Sequence, residues 1–262
     1  MKLFRPPFKY LFILGHMRSG SSLLVHLLNS NPSVAGFGEA IVKYHSRADL
    51  DTLVLKVADF FKESRLPQQY IMDKLLQDEL LIDRSLLNDA DIYSLFLVRK
   101  PEEALPSILD IYENKYPKVA PALAGGEKEA TDYYVNRLAT MANYAQQINS
   151  RQKAFMMTYD DLINRTPDVF TNMQEWLAVP DPFTEAYKTH EATGRLVTGD
   201  WTETIKAGRI VRDEKHKYKP VSAESMQRAQ EAYDTCCAAL RRTCGSADVS
   251  SKMQVGDPVK AG

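Results

Sequence analysis

"GHMRSGSSLL" (Gly15–Leu24) follows directly on the apolar run "YLFIL" (10–14) and leads into a stripe of leucines, so this part of the chain reads as strand, glycine turn and helix. Gly15 and Gly20 lie five positions apart and two serines follow, which is the outline of a phosphate-binding loop. The nucleoside-triphosphate pattern G-x-x-x-x-G-K-[ST] would have lysine where this chain has Ser21, and the nearest cation, Arg18, sits inside the turn. A strand, a turn and a helix N-terminus aim backbone N–H groups and the positive end of a helix dipole at one point, which attracts anions whatever the side chains are. The side chains decide which anion. Without the lysine the loop is poorly built for triphosphate hydrolysis, and Arg18 suits it to one phosphate with a smaller anionic group beside it.

Beyond the loop, short apolar runs alternate with longer helical patterns. Candidate strands are 10–14, 33–37, 69–73, 92–98 and 153–159. Helices are expected from Gly20 to before Pro32, over 49–64, 77–89, from Pro101 onward, and over 127–150, 166–179 and 222–242. This alternation predicts an α/β protein: a P-loop-type, three-layer fold with a mostly parallel central sheet flanked by helices. Residues 116–127 read as a loop rich in Pro and Gly, and Ser222 as the cap of the last helix. Pro106 fits a regular helix interior poorly, so the helix after Pro101 is expected to start late or kink. Residues 1–245 are expected to form one domain and 246–262, which lack aromatics, a disordered tail.

The 262 residues carry a net charge of -1, which argues against a broad cationic nucleic-acid surface and confines any basic site to a local patch. Cys236 and Cys237 are adjacent and Cys244 is the third and last cysteine, a pattern that suits neither a disulfide framework nor a zinc site. The five histidines form no metal motif, so no metal is expected. No apolar run approaches the roughly 20 residues of a membrane span. The apolar stretch at 10–14 is too short for a secretory leader, and a cytoplasmic protein is expected.

"RSGSSLL" (18–24) followed by "NPSVAGFGE" (31–39) resembles the sulfotransferase superfamily, whose donor is 3'-phosphoadenosine-5'-phosphosulfate (PAPS). The resemblance continues in "LFLVRKPEEALPSILDIY" (95–112), where Arg99 ends a strand and Ser107 follows eight residues on, and in "TYDDLINRTPDVF" (158–170) and "QEWLAVP" (174–180). It spans roughly residues 10–215, and four motifs in the right order carry it. It implies sulfuryl transfer to an acceptor hydroxyl, or less readily an amine, with no metal. The acceptor itself, whether small molecule, sugar, lipid or peptide, and the oligomeric state are left open.

The chemistry and the resemblance together give each candidate a role. Negative charge spreads over the leaving phosphate and the transferring group, so cations and backbone N–H groups are the main catalysts. Arg18, Ser19, Gly20, Ser21 and Ser22 are expected to hold the 5'-phosphosulfate. Arg99 and Ser107 are expected to take the 3'-phosphate, the alternative for Arg99 being a solvated strand end. "NPSVAGFGE" is similar to the tyrosylprotein and carbohydrate sulfotransferase branch, which implies that Glu39 is the general base; the bland reading is a surface glutamate after a turn. His16 is the second choice. By the same resemblance Lys74 steadies the transferring group, against a snorkelling surface lysine. Tyr159 either lines the adenine pocket or belongs to the core. The late segment 199–217 resembles the loop that closes over the nucleotide, with Trp201, Lys206, Arg209 and Arg212 as candidate contacts. Tyr44, Tyr112 and Tyr116 are weaker candidates for the acceptor cleft.

Two rivals remain at this level. One is a P-loop kinase or NTPase, in which "LLID" (80–83) would be the metal-binding strand, although it falls in a helical pattern. The other is a nonenzymatic nucleotide-binding module of the same fold.

Overall fold

The strict alternation along "KYLFILG" places Tyr10, Phe12 and Leu14 on one face of a strand and Leu11 and Ile13 on the other, all buried, so this strand must lie inside a sheet covered on both sides. The computed structural model, which describes residues 8–189, 203–212 and 218–246, bears this out. Strands β1 (Lys9–Gly15), β2 (Val34–Ala35), β3 (Tyr70–Leu75), β4 (Ile92–Val98), β5 (Ala154–Thr158) and β6 (Gly245–Ser246) form one sheet in the order β2-β3-β1-β4-β5-β6. Every pairing in it is parallel.

Two apolar cores follow from the alternation. On one face Phe12, Leu14, Ile71, Phe96 and Met156 pack against helices α2 (Arg47–Phe61), α4 (Pro101–Asp110), α6 (Glu127–Gln147) and α9 (Ala223–Thr243). On the other, Leu11, Ile13, Met72, Leu95, Leu97 and Met157 pack against α1 (Ser21–Asn29) and α8 (Thr166–Leu177). The result is the expected three-layer α/β arrangement. β1 is central, with β3 on one side and β4 on the other, so the chain's direction of travel across the sheet reverses at β1. The crevice at the carboxyl ends of these strands is where such sheets bind ligands.

Several sequence expectations change. Residues 77–89 form no continuous helix; only α3 (Arg84–Leu87) is helical, because Ile82 pairs with Tyr44 as an isolated bridge and Asp83 caps the short helix by accepting from Ser85 N. "LLID" therefore lies in extended and turn backbone on Tyr44. Helix α4 runs through Pro106 and passes into a π-helical turn, Ile111–Lys115, followed by α5 (Tyr116–Val119) inside the segment read as a loop. A short helix α7 (Tyr159–Asn164) separates β5 from α8. Thr166 is the first residue of α8, and its hydroxyl donates to the Leu162 carbonyl of α7. Ser222 caps α9 as expected. Ser246 belongs to β6; the rest of the expected tail, 247–262, lies outside the described residues. Among the described residues no helix is long and apolar enough to cross a membrane.

Candidate active site

The loop between β1 and α1 is shaped by two close approaches. A Cβ on Gly15 would lie 3.1 Å from Ser19 Oγ and 3.2 Å from the Leu97 carbonyl. Gly20 has φ +92, and a Cβ there would meet the Tyr159 ring at 2.3 Å. Arg18, with φ 65, occupies the left-handed region that non-glycine residues seldom enter. It is held there from two sides: its Nε donates to Ser107 Oγ at 2.7 Å, and its carbonyl accepts from Arg99 Nη1 at 3.2 Å. Among the described residues no side chain caps the N-terminus of α1, so its first-turn N–H groups face the mouth of the loop. Ser19 is fully buried, and its Oγ has no hydrogen-bond partner among the described residues.

The two anion seats expected from sequence are adjacent. Arg99 follows β4, and its side chain is fixed by three contacts. Nε donates to Glu103 at 2.9 Å, Nη1 reaches Arg18 O, and the guanidinium lies over the Tyr159 ring with Cζ 3.9 Å from the centroid. Ser107, 3% exposed on α4, accepts from Arg18 and donates to Tyr218 Oη at 3.0 Å. Pro106 thus leaves Ser107 aimed at the loop. Burial alone would raise the Glu103 carboxyl, but hydrogen bonds from Lys100 and Arg99 outweigh it and hold the group below its usual range. Tyr159 is neither an isolated core residue nor a free wall: it fills the space between Gly20 and Arg99.

A second group gathers on the β3 side. Lys74, fully buried at the end of β3, places Nζ 3.4 Å from Glu39 Oε1 and 3.4 Å from Ser22 Oγ. Lys74 is therefore no surface lysine, and Glu39, with 11% of its side chain exposed, is no solvated one. Ser21 is buried beside them at the start of α1. Glu39 sits in a turn whose flanks are left-handed: Gly38 has φ 123 and Ile41 has φ 53. A β-branched residue in that region is strained, and Ile41 is also 64% exposed.

His16, the second choice for the base, is engaged through both ring nitrogens. It is fully buried, and its Nε2 accepts from Arg99 N at 3.1 Å. That fixes the tautomer, so Nδ1–H donates to the Met17 carbonyl at 2.8 Å. Burial, reinforced by the Arg99 and Arg137 charges, pushes the imidazole down to about 4. The ring thus ties the Met17 carbonyl to the Arg99 backbone and braces the loop against the end of β4. Tyr44 likewise leaves the cleft: it is 0% exposed, and its hydroxyl donates to Asp73 at 2.5 Å. Tyr116 stays near the site, donating to Met17 Sδ at 3.3 Å and stacking edge-on with Tyr112. Burial and, after it, the Glu39 charge push the Tyr116 hydroxyl up.

The late segment behaves differently from expectation. Trp201 lies outside the described residues. Lys206 stands on a 3-10 turn, Glu203–Ala207, and Arg209 pairs with Ala186; the neighbouring Ile205 and Ile210 pack on the α1/α8 face. Arg212 is committed elsewhere. Its guanidinium forms a two-pronged ion pair with Glu185, at 2.6 and 2.9 Å, and also donates to Ile163 O and Thr166 Oγ1. Arg212 is thus held by a surface carboxylate and by the α7–α8 junction.

Four contributors went unrecognised in the sequence. Arg137 of α6 is completely buried, and its guanidinium donates to Gly15 O at 2.8 Å and Leu75 O at 2.6 Å, tying the ends of β1 and β3 together. Its position in the apolar stripe Ala130–Tyr134–Leu138–Met141 was the available signal. Tyr133 accepts from Met17 N at 2.7 Å and donates to Leu76 O at 2.7 Å. Asp73 and Tyr218 complete the set. Among the described residues no group of His, Cys, Asp and Glu is arranged to hold a metal ion.

No family model matches this sequence, and no curated protein matches it. Among solved structures, the chain is similar to the sulfotransferase domain from the curacin biosynthetic pathway, with a TM-score of 0.55 and 15% identity over 87% of this chain and 98% of that one. A mouse sulfotransferase, SULT7A1, complexed with PAP aligns over 87% of this chain and 76% of its own at 9% identity and a TM-score of 0.47. Retinol dehydratase in complex with androsterone and inactive cofactor PAP aligns over 90% and 82% at 11% identity and 0.43. The first of these establishes the fold: a six-stranded α/β sheet with flanking helices of the sulfotransferase kind. The other two are too distant to add to it.

Proposed function

We propose that this chain is a PAPS-dependent sulfotransferase that moves a sulfuryl group to an acceptor hydroxyl, with Glu39 as general base. The observation that carries the reading is the hydrogen-bonded run Arg99–Arg18–Ser107, which joins the phosphate-type loop to the end of β4 in one continuous anion-binding surface. A nucleotide phosphorylated at both the 3' and 5' positions needs two such seats side by side, and a triphosphate does not. The donor set fits that ligand: cations, hydroxyls and the first-turn N–H groups of α1 converge here, and Ser19 Oγ is a buried hydroxyl with no partner among the described residues in the same loop.

In this reading the loop N–H groups, Arg18 and Ser22 hold the 5' side of the donor, and Arg99 and Ser107 hold the 3'-phosphate. The donor supplies the activated sulfuryl group. Lys74, within reach of both Ser22 and Glu39, neutralises negative charge that develops on the transferring oxygens. Glu39 accepts the hydroxyl proton of the acceptor, and its contact with Lys74 keeps base and electrophile on the same side of the crevice. Tyr116, whose hydroxyl feels the Glu39 charge and donates to Met17 Sδ, lies on the same side of the site.

Isothermal titration with adenosine 3',5'-bisphosphate in the absence of magnesium tests the proposal. Binding tighter than that of MgATP is expected; preference for MgATP, or no binding of the bisphosphate, overturns it. Once a screen with sulfur-labelled donor has found an acceptor, Glu39→Gln should reduce turnover at unchanged bisphosphate affinity, and unchanged turnover removes Glu39 as the base.

A further inference from the structure

The two groups assigned to chemistry on the β3 side come from different parts of the chain. Glu39 stands in a strained turn after β2, and Lys74 ends β3. The β2–β3 ladder ends at Ala35–Ile71, short of both residues, so the turn that carries Glu39 lies beyond it. Between them lies Asp73, 1% exposed, with its carboxylate fully engaged. Its Oδ1 accepts from Ala40 N at 2.8 Å and from Lys74 N at 2.8 Å, while Oδ2 accepts from Tyr44 Oη at 2.5 Å. One oxygen atom thus bonds the residue after Glu39 and the backbone of Lys74 together. The Gly38 carbonyl closes the same junction by accepting from Lys74 N at 3.1 Å.

A buried carboxylate is costly, and an apolar residue at a strand position facing this core would pack at no such cost. Burial is the leading effect on Asp73 and pushes it up to about 6, even though Tyr44 and the two N–H groups favour the charged form. The charged and titratable groups around it are Tyr44, Glu39 and Lys74, with Asp49 beyond Tyr44 and Lys56 on the outer side of the turn, where it donates to Ala40 O at 3.0 Å. Such an expense at this junction, beside an Ile41 held with φ 53, marks a geometry that the fold alone does not require.

We infer that Asp73 is a positioning residue: its carboxylate sets the Glu39–Lys74 pair by fastening the glutamate-bearing turn to the lysine-bearing strand. The inference rests on the sulfotransferase reading for what the pair does, but its test does not.

The test combines backbone amide NMR, bisphosphate titration and crystal structures of Asp73→Ala, Asp73→Asn and Tyr44→Phe. In Asp73→Ala the Ala40 and Lys74 amide protons should both move upfield, and Glu39 and Lys74 should no longer be in ion-pair contact. Asp73→Asn, which keeps an acceptor oxygen, should restore the Glu39–Lys74 contact with smaller upfield shifts of the same two amides. Tyr44→Phe should keep the contact, and should raise the pH at which the Ala40 and Lys74 amides titrate together. Affinity for adenosine 3',5'-bisphosphate should stay within about threefold throughout, because its seats lie on β1, α1, β4 and α4. Persistence of the Glu39–Lys74 contact in Asp73→Ala overturns the inference. Should that variant fail to fold, unshifted Ala40 and Lys74 amides in Asp73→Asn overturn it equally. A wild-type protein that does not bind the bisphosphate refutes the proposed function and leaves the amide and crystallographic outcomes to decide the role of Asp73 separately.

Discussion

The guanidinium of Arg99 lies on the face of Tyr159, Cζ 3.9 Å from the ring centroid, and the same ring occupies the space that a side chain at Gly20 would need. One aromatic plane therefore joins the turn at the end of β1 to the cation at the end of β4. Its consequences are measurable.

Gly20→Ala must both adopt φ +92 and push against the Tyr159 ring at 2.3 Å. Left-handed backbone alone costs a non-glycine residue about 1–2 kcal/mol. Urea denaturation should show at least that loss, and titration should show weaker bisphosphate binding. Tyr159→Ala in the same background should recover only the part of the loss due to contact, because the backbone strain remains.

Arg99→Ala should weaken adenosine 3',5'-bisphosphate by about 1.5–3 kcal/mol, the value of one hydrogen bond to a charged group, or roughly ten- to a hundredfold. Adenosine 5'-phosphate should lose far less. Equal losses for both ligands would remove Arg99 from the 3'-phosphate seat.

Tyr218 hydrogen-bonds Ser107 at 3.0 Å from a segment far along the chain. Tyr218→Phe should lower bisphosphate affinity by about 0.5–1.5 kcal/mol, the net value of an ordinary hydrogen bond, with little change in melting temperature. A fall in stability without a change in affinity would mean that the hydroxyl only anchors the segment.

Arg137→Met leaves the Gly15 and Leu75 carbonyls buried without their donor. Each such group costs about 1–3 kcal/mol, so denaturation should show a loss of about 2–6 kcal/mol for the two. Arg137→Lys should rescue only part of it, since a point ammonium cannot reproduce the planar fork that spans both strands.

His16 sits near 4 when folded against an ordinary value of 6.5. Between these values the unfolded chain binds the extra proton, so this residue's contribution to stability falls as pH drops through that window. His16→Gln keeps an acceptor for Arg99 N and removes the titration. The stability difference between wild type and variant should therefore shrink by up to about 3 kcal/mol on going from pH 7 to 4. Asp73, raised to about 6, has the opposite slope over an overlapping range, but it is present in both proteins and cancels in the difference.

Local chemistry explains which parts of this architecture were legible beforehand. The β1 loop could be read because its glycines, serines and flanking apolar runs are neighbours in sequence, and Arg99 because it ends an uninterrupted apolar strand. Pairing of Glu39 with Lys74 could be expected only through resemblance, since their contact depends on how β2 and β3 dock. Residues 77–89 misled because their apolar spacing fits a helix, whereas the Tyr44–Ile82 bridge and the Asp83 cap, both set by the tertiary fold or by turn chemistry, win. The two-residue β6 carries no pattern at all. Arg137 was passed over because an arginine in a long helix is normally solvated; its place in the apolar stripe was the one signal, and the strand ends it grips explain its burial. The Arg212–Glu185 pair could not be foreseen either, since the two are separated in sequence and meet only through the tertiary fold.

The π-helical turn Ile111–Lys115 lies between Ser107, which faces the loop, and Tyr116, whose hydroxyl feels the Glu39 charge. Each residue of a regular helix advances the side chains by about 100°, so removing one residue from this turn would swing Tyr116 around the axis while leaving Ser107 untouched. The helix thus contains a ratchet: the face that Tyr116 presents can be re-dialled by a single codon, with the Ser107–Arg18 contact inherited unchanged.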